Sequence, residues 1–226
     1  MATAVVTVYR STIGKKAVMA VTGFLLFGFV VAHMIGNLKI FQGAEHFNAY
    51  AEGLRTLGAP FFGHEQALWL LRSVLLVAVI LHIVAALQLT RLSQTARPVD
   101  YRKRRRVQAN YAATTMRWGG LMIGLFVVYH LLHMTTGTVH PAFVTGDAYG
   151  NMVHGFQREY VLVPYALAVG ALGMHVYHGF WSLFQTLGGG SGRSAGALRG
   201  AAALMAVALT VGYLAGPVAI AVGAVD

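Results

Sequence analysis

Residues 17 to 36 read AVMAVTGFLLFGFVVAHMIG, an apolar run of 20 residues in which His33 is the one ionisable side chain. A helix of about 20 apolar residues crosses the hydrocarbon core of a bilayer, because each residue adds about 1.5 Å to its length. An ionisable group in that layer is costly unless a partner offsets its desolvation. The stretch therefore predicts a membrane-spanning helix and marks His33 as a functional candidate.

The rest of the chain has the same apolar character. Of its 226 residues, 57% are hydrophobic and 11% are charged, whereas a soluble domain carries about 25% charged residues. Further apolar runs cover residues 66–90, 117–137, 160–186 and 198–222. We therefore predict an all-α polytopic membrane protein, in which residues 1–226 form a single membrane domain with five transmembrane helices in a bundle.

The absence of cysteine limits the chemistry of the chain. With no Cys in the sequence, disulfides, thiolate zinc sites and Cys-ligated iron–sulfur clusters are excluded. Any redox centre held by this chain must therefore be bound through His or Met.

The basic residues are unevenly distributed between the predicted loops. With five spans the termini lie on opposite faces, and 13 of the 17 Lys and Arg residues fall in segments that share a face with the N-terminus. The positive-inside rule makes that face cytoplasmic. We therefore predict a cytoplasmic N-terminus, an outer C-terminus and a location in the cytoplasmic (inner) membrane of a bacterium.

The net charge of +10 is explained by this topology and by membrane lipid, and we predict no nucleic-acid partner. The run RKRRR at residues 102–106 allows two interpretations. It anchors the chain to anionic headgroups, or it also docks an extrinsic cytoplasmic subunit.

Six histidines lie inside predicted spans, and four of them fall at two depths. His33 and His130 lie about 6 and 10 Å from the outer edge, and His82 and His175 lie about 22 to 26 Å from it. Each layer holds one imidazole from each of two helices, as two axial ligands of a haem iron require. We predict an outer haem b on His33 and His130 and an inner haem b on His82 and His175. The alternative is that these imidazoles merely form hydrogen bonds between helices.

The choice of ligand remains open in two helices, because a second histidine follows three residues later, at His133 and at His178, on nearly the same face. These second histidines are candidates for contacts to a haem propionate, to the ligand itself or to a quinone. Arg72 in the second span is either a snorkelling side chain or a counter-ion for a propionate. The four histidines in outer loops are expected to be solvated or interfacial: His46, His64, His140 and His154.

The first outer loop offers candidates for a quinone site at the height of His33. Quinone reduction requires proton donors, and His or carboxylate side chains can supply them. The alternative is an ordinary amphipathic surface helix. The candidate residues are Glu45, His46, Tyr50 and Glu52.

Four motifs occur in the order expected of one known family. GKKAVMAVTGFLLFGFVVAHMIGNLKIFQG at residues 14–43, LHIVAALQL at 81–89, YHLLH at 129–133 and MHVYHGFWSLFQTLGG at 174–189 together resemble the cytochrome b558 membrane anchor subunits of succinate dehydrogenase and fumarate reductase. The resemblance extends to the five-helix plan. The ligand positions of that family match His33, His82, His130 and His175. His178 stands where relatives often carry Asn, which implies that it is not needed as an iron ligand.

The resemblance implies a single-chain anchor with two haems b, docked to a flavoprotein subunit and an iron–sulfur subunit on the cytoplasmic side. Electrons from succinate would pass through the partners and both haems to a quinone, expected to be menaquinone, in respiratory electron transport linked to the tricarboxylic acid cycle. The chain would not act on succinate itself, but it would contribute the quinone-reducing site. A higher oligomer of the whole complex is left open.

Two other functions compete with this interpretation. The first is the di-haem b anchor of a hydrogenase or formate dehydrogenase, which also uses membrane histidines and a quinone. The second, from a different class, is a transporter or proton channel with a histidine relay. The match of the four motifs to the family and the placement of one ligand on each helix favour the succinate dehydrogenase anchor.

Overall fold

The structure, a computed structural model, describes residues 9–96, 108–186 and 194–226, and these residues form helices and no strands. The basic run at residues 102–106 lies outside the described residues. Two short helices, α2 (Ala44–Arg55) and α5 (Ala148–Phe156), lie in the two outer loops of the predicted topology. The long helices are α1 (Thr12–Leu38), α3 (Gln66–Thr95), α4 (Gln108–His130), α6 (Glu159–Thr186) and α7 (Ser194–Ala221).

The five long helices are each long and apolar enough to cross a membrane. Their outward surfaces carry large apolar side chains, such as Phe24 and Leu125, which are 67% and 66% exposed. Such side chains suit contact with lipid and are unfavourable in water. The prediction of an all-α chain with five candidate spans is confirmed at this level.

The helices extend beyond the predicted apolar runs. α1 begins after Ser11, whose hydroxyl oxygen accepts a hydrogen bond from the Gly14 amide at 2.9 Å, and a 3-10 turn over Lys39–Gln42 continues it to Gly43. Gly43 ends the turn with φ of 86°, a conformation that glycine adopts without strain. α3 continues to Thr95 through Arg91, Ser93 and Gln94, which fall outside the apolar run.

The long helices pack in the order α3, α1, α7, α6, α4, with each one contacting the next. α7 thereby joins one half of the bundle, α1 with α3, to the other half, α4 with α6. Within the described residues, α1 makes at most marginal backbone contact with α4. The backbone contact between α3 and α6 is equally marginal. The two halves therefore meet mainly through α7, with a few further contacts between α1 and α6.

The most tightly packed region is at one end of the bundle, where α2 and α5 cover the long helices. α5 alone contributes Met152, Val153 and Phe156 to this core, and Ile40 joins it from the turn after α1 and Tyr165 from α6. α4 ends there in a π turn over Leu131–Thr135, in which the Thr136 amide donates to the Leu131 carbonyl at 2.9 Å. Such wider turns are rare and frequently occur at functional sites.

Candidate functional site

One pair of imidazoles joins the two halves of the bundle near the covered end. The ring centroids of His33 on α1 and His130 on α4 lie 5.9 Å apart, with the rings steeply inclined at 75°. We call these two residues the outer pair. Their side chains are half-buried.

A second pair of imidazoles joins the two halves of the bundle at a different height along the bundle axis. The ring centroids of His82 on α3 and His175 on α6 lie 6.3 Å apart, at an interplanar angle of 60°. We call these two residues the inner pair. Both side chains are again half-buried.

The two pairs lie in separate layers. On α1, Thr22 contacts His82, and His33 follows 11 residues later. On α4, a side-chain carbon built on Gly120 would lie 3.6 Å from His175, and His130 follows 10 residues later. Both helices give a separation of about 15 Å along the bundle axis at about 1.5 Å per residue.

The spacing within each pair fits two axial ligands of one iron. Iron–nitrogen bonds of about 2.0 Å, and about 1.1 Å from each nitrogen to its ring centre, place the centroids about 6 Å apart. The observed 5.9 and 6.3 Å bracket this value. Each pair also connects helices that make at most marginal backbone contact with each other. The residues present therefore fit a haem in each layer.

The inner pair is oriented by a hydroxyl on α1. Thr22 Oγ1 lies 2.7 Å from the Val18 carbonyl oxygen, to which it donates, and 3.1 Å from His82 Nδ1. A hydroxyl has one hydrogen, so the second contact is a donation from His82 Nδ1–H to Oγ1. The lone pair of His82 is then on Nε2, which is the tautomer that binds a metal through Nε2.

Two glycines let the backbone approach the inner pair closely. A side-chain carbon built on Gly23 would lie 3.3 Å from His82 Cε1, which is closer than an ordinary van der Waals contact, and Gly120 borders His175. His175 Nδ1 is buried and has no hydrogen-bond partner among the described residues. A buried polar atom without a partner is costly, which marks this position as one under functional rather than packing constraint.

The outer pair is connected to a buried polar cluster. The Tyr165 hydroxyl oxygen on α6 lies 3.1 Å from His130 Nδ1 and 3.0 Å from His133 Nδ1. The His133 ring stacks on that of His140, with centroids 4.8 Å apart. On the other side of the pair, the Phe29 ring stacks on His33 at 5.3 Å.

In each motif that contains two histidines, the two imidazoles have different neighbours in the structure. His133 is 0% exposed and faces Tyr165 and His140, whereas His130 faces His33. On α6, His175 faces His82, whereas the His178 ring is inclined against the neighbouring Tyr177 ring at 5.0 Å. His130 and His175 are therefore the members placed opposite a second imidazole.

His140 corrects an expectation. It was expected to be a solvated or interfacial loop residue, but it is only 8% exposed. Its Nδ1 accepts a hydrogen bond from the Ala142 amide at 3.1 Å, and its Nε2 donates to the Asn151 carbonyl at 2.8 Å. These hydrogen bonds hold the outer loop against α5, and His140 is therefore a structural residue. His46, His64 and His154 are exposed, as expected.

Arg72 lies apart from both histidine pairs. Its side chain is exposed on α3, and its guanidinium lies over the Trp69 ring, 4.9 Å from the centroid. This cation–π contact accounts for its position without a propionate.

The quinone candidates of the first outer loop all lie on α2. Glu45, His46 and Glu52 are exposed, while Tyr50 is half-buried against Gly36 and Lys39. The hydrogen bond from His64 at 3.1 Å and the nearby Arg55 lower the pKa of Glu52. α2 therefore presents charged groups at the surface beside the end of α1, and the four residues do not converge on one point.

Thr22 and Tyr165 are the functional candidates that sequence reasoning missed. Both are polar side chains inside apolar helices, and Thr22 precedes His33 by 11 residues, about three turns, so the two share one face of α1. A buried Tyr hydroxyl generally has a hydrogen-bond partner. These signals indicate that partners exist, but they do not identify histidines on other helices.

The chain was compared with protein-family models, curated proteins and solved structures, and none of them matches it.

Proposed function

We propose that the chain is the di-haem cytochrome b membrane anchor of a succinate:quinone oxidoreductase, which carries electrons from an iron–sulfur subunit to menaquinone. The observation that supports this proposal most is the presence of two imidazole pairs, each joining helices that do not pack on each other. The motifs around His33, His82, His130 and His175, which resemble that family, supply the identity of the enzyme.

The residues of the chain have distinct tasks in this function. His33 and His130 would hold one haem, and His82 and His175 the other. A bound haem supplies a one-electron iron couple whose potential depends on ligands, burial and hydrogen bonds. Thr22 holds the His82 ring with its Nε2 lone pair available. The apolar helices exclude water, so that charge crosses an otherwise insulating layer at defined points.

The oxidation of succinate and the reduction of quinone would take place at opposite faces of the membrane. Oxidation of succinate, with loss of two electrons and two protons, takes place in a flavoprotein partner docked with the iron–sulfur subunit on the cytoplasmic side. We place the N-terminus and most basic residues on that side, by the positive-inside rule. Quinone takes up two electrons and two protons near the outer pair, where Glu45, His46, Tyr50 and Glu52 are candidates for proton delivery.

A reduction experiment on the purified complex tests this function. A complex isolated through a tag on this chain should contain a flavoprotein, and succinate should reduce its b-type haems in a visible difference spectrum. Haem reduction by hydrogen or formate, without a response to succinate, would assign the chain to a hydrogenase or formate dehydrogenase. A colourless complex would favour a histidine-relay transporter.

A further inference from the structure

The Tyr165 hydroxyl lies between two imidazoles that belong to the same motif. It is 3.1 Å from Nδ1 of His130 and 3.0 Å from Nδ1 of His133. The hydroxyl has one hydrogen and accepts through its oxygen. It can therefore donate to at most one of these two imidazoles, and it accepts from at least one of them.

Aromatic rings hold Tyr165 in this position. Its ring is nearly perpendicular to those of Phe126 and Phe156, with centroids 4.8 and 4.7 Å away, and the residue is 7% exposed. Edge-to-face packing of this kind fixes the ring plane. The hydroxyl is therefore pre-positioned between the two imidazoles.

The direction of the hydrogen bonds decides which histidine can bind a metal through Nε2. If Tyr165 donates to His130, then His130 carries its hydrogen on Nε2 and cannot be a ligand through that atom. If His130 Nδ1–H donates to Tyr165, and Tyr165 donates to His133, then the lone pair of His130 is on Nε2. His133 then carries a hydrogen on Nε2, an atom that is buried and has no partner among the described residues.

We propose that Tyr165 is the positioning residue of the outer pair: it accepts from His130 Nδ1–H and donates to His133 Nδ1, which makes His130 the iron ligand and increases its basicity. This inference rests on the proposed function, because it needs a haem on the outer pair. It assigns His133 the role of accepting a hydrogen bond from the Tyr165 hydroxyl, instead of a role as an iron ligand or as a contact of a haem propionate.

The redox consequence has a definite sign. A ligand imidazole that donates from Nδ1 to an acceptor is more basic, and a more basic ligand favours the ferric state. The donation from Tyr165 to His133 polarises the hydroxyl and strengthens the first hydrogen bond. The cluster therefore lowers the potential of the outer haem.

The test is a potentiometric titration of the complete complex carrying Tyr165→Phe, which removes the hydroxyl and keeps the ring. We expect the reduction equilibrium of the outer haem to shift toward the ferrous form by about tenfold, about 59 mV for a one-electron couple. The inner haem serves as an internal reference. Tyr213→Phe is the matched control, because the Tyr213 ring lies 6.2 Å from His33 but its hydroxyl donates to the Val30 carbonyl at 2.6 Å.

The possible results distinguish a failure of the positioning role of Tyr165 from a failure of the proposed function. A shift in Tyr165→Phe that is absent from Tyr213→Phe, or selective loss of the outer haem in Tyr165→Phe alone, supports the positioning role. Equal potentials in the wild type and Tyr165→Phe, or equal shifts in both variants, overturn it. A wild-type complex without haem overturns the proposed function instead.

A second variant covers the case in which Tyr165→Phe does not assemble. His133→Leu removes the acceptor behind Tyr165 and leaves His130 and Tyr165 in place. We expect a shift in the same direction and of smaller size, with both haems retained. Loss of the outer haem in His133→Leu with retention in His130→Leu would make His133 the ligand and would overturn the inference.

Discussion

Thr22 Oγ1 on α1 lies 3.1 Å from His82 Nδ1 on α3 and accepts its hydrogen, although 60 residues separate the two in the chain. The contact connects the first helix to the inner pair without contributing a ligand to it. Each histidine pair thus has a hydroxyl from a different helix bonded to one of its rings, Thr22 in the inner layer and Tyr165 in the outer layer.

Replacement of this hydroxyl should weaken the inner site. Thr22→Val keeps the shape of the side chain but removes the hydroxyl oxygen that accepts from His82 Nδ1–H, and the loss of one such hydrogen bond costs about 0.5–1.5 kcal/mol. We expect lower occupancy of the inner haem at unchanged occupancy of the outer haem, measured by absorption after purification. Thr210→Val is the matched control, because the Thr210 hydroxyl donates to the Ala206 carbonyl of its own helix at 2.8 Å and contacts neither histidine pair among the described residues. Equal losses in both variants would contradict an orienting role for Thr22.

A side chain at Gly23 should displace His82. A β-carbon there would lie 3.3 Å from His82 Cε1, whereas one on Gly28, five residues later, has no atom within 4 Å. We therefore expect Gly23→Val to lose the inner haem component and Gly28→Val to keep both components, as read from difference spectra. Retention of both components in Gly23→Val would mean that His82 moves without functional loss.

Single histidine replacements should divide into two spectral groups. His33→Ala and His130→Ala should remove one haem component, because each takes away half of the outer pair, while His82→Ala and His175→Ala should remove the other. His178→Ala should retain both, since its ring faces Tyr177 and not a second imidazole. If His33→Ala and His82→Ala removed the same component, the pairing of ligands would be wrong.

The outer loops should loosen in acid. The Gly150 amide and Asn48 lower the pKa of Asp147 below its ordinary value of 3.8, and Asn48 also accepts from the Tyr149 amide at 2.9 Å. Because the folded pKa is depressed, the stabilisation is complete above the ordinary pKa and is lost as the pH falls through the folded pKa. Thermal unfolding of the detergent-solubilised protein should show a falling midpoint below pH 4, with a smaller fall in Asn48→Ala. An equal fall in both proteins would exclude the hydrogen bond between Asn48 and Asp147 as the cause.

The positions of the spans could be predicted from the sequence, but the ends of the helices could not. The apolar runs locate α1, α3, α4, α6 and α7 because hydrocarbon thickness sets a minimum length of apolar helix. α4 nevertheless begins at Gln108, nine residues before the predicted span at 117. Polar residues such as those between 108 and 116 are compatible with a helix outside the hydrocarbon, so composition marks the membrane layer and not the helix end.

The division of the four histidines into two layers could also be predicted, because the rise of a helix converts position into height. The orientation of side chains around their helices could not. Tyr165 faces His130 only because of how α6 is rotated against α4, and His140 is buried because its loop folds onto α5. Both depend on packing between distant segments. The π turn after His130 likewise has no local sequence signature, although it directs His133 toward Tyr165.

The most direct measurement is the haem content of the purified chain, determined as the pyridine haemochrome per mole of polypeptide. Two imidazole pairs in separate layers predict two haems b per chain, falling to one in His33→Ala and to one in His82→Ala, and to none when both are replaced. A wild-type chain that binds no haem, or one whose haem content is unchanged when both histidines are replaced, would contradict ligation by these pairs.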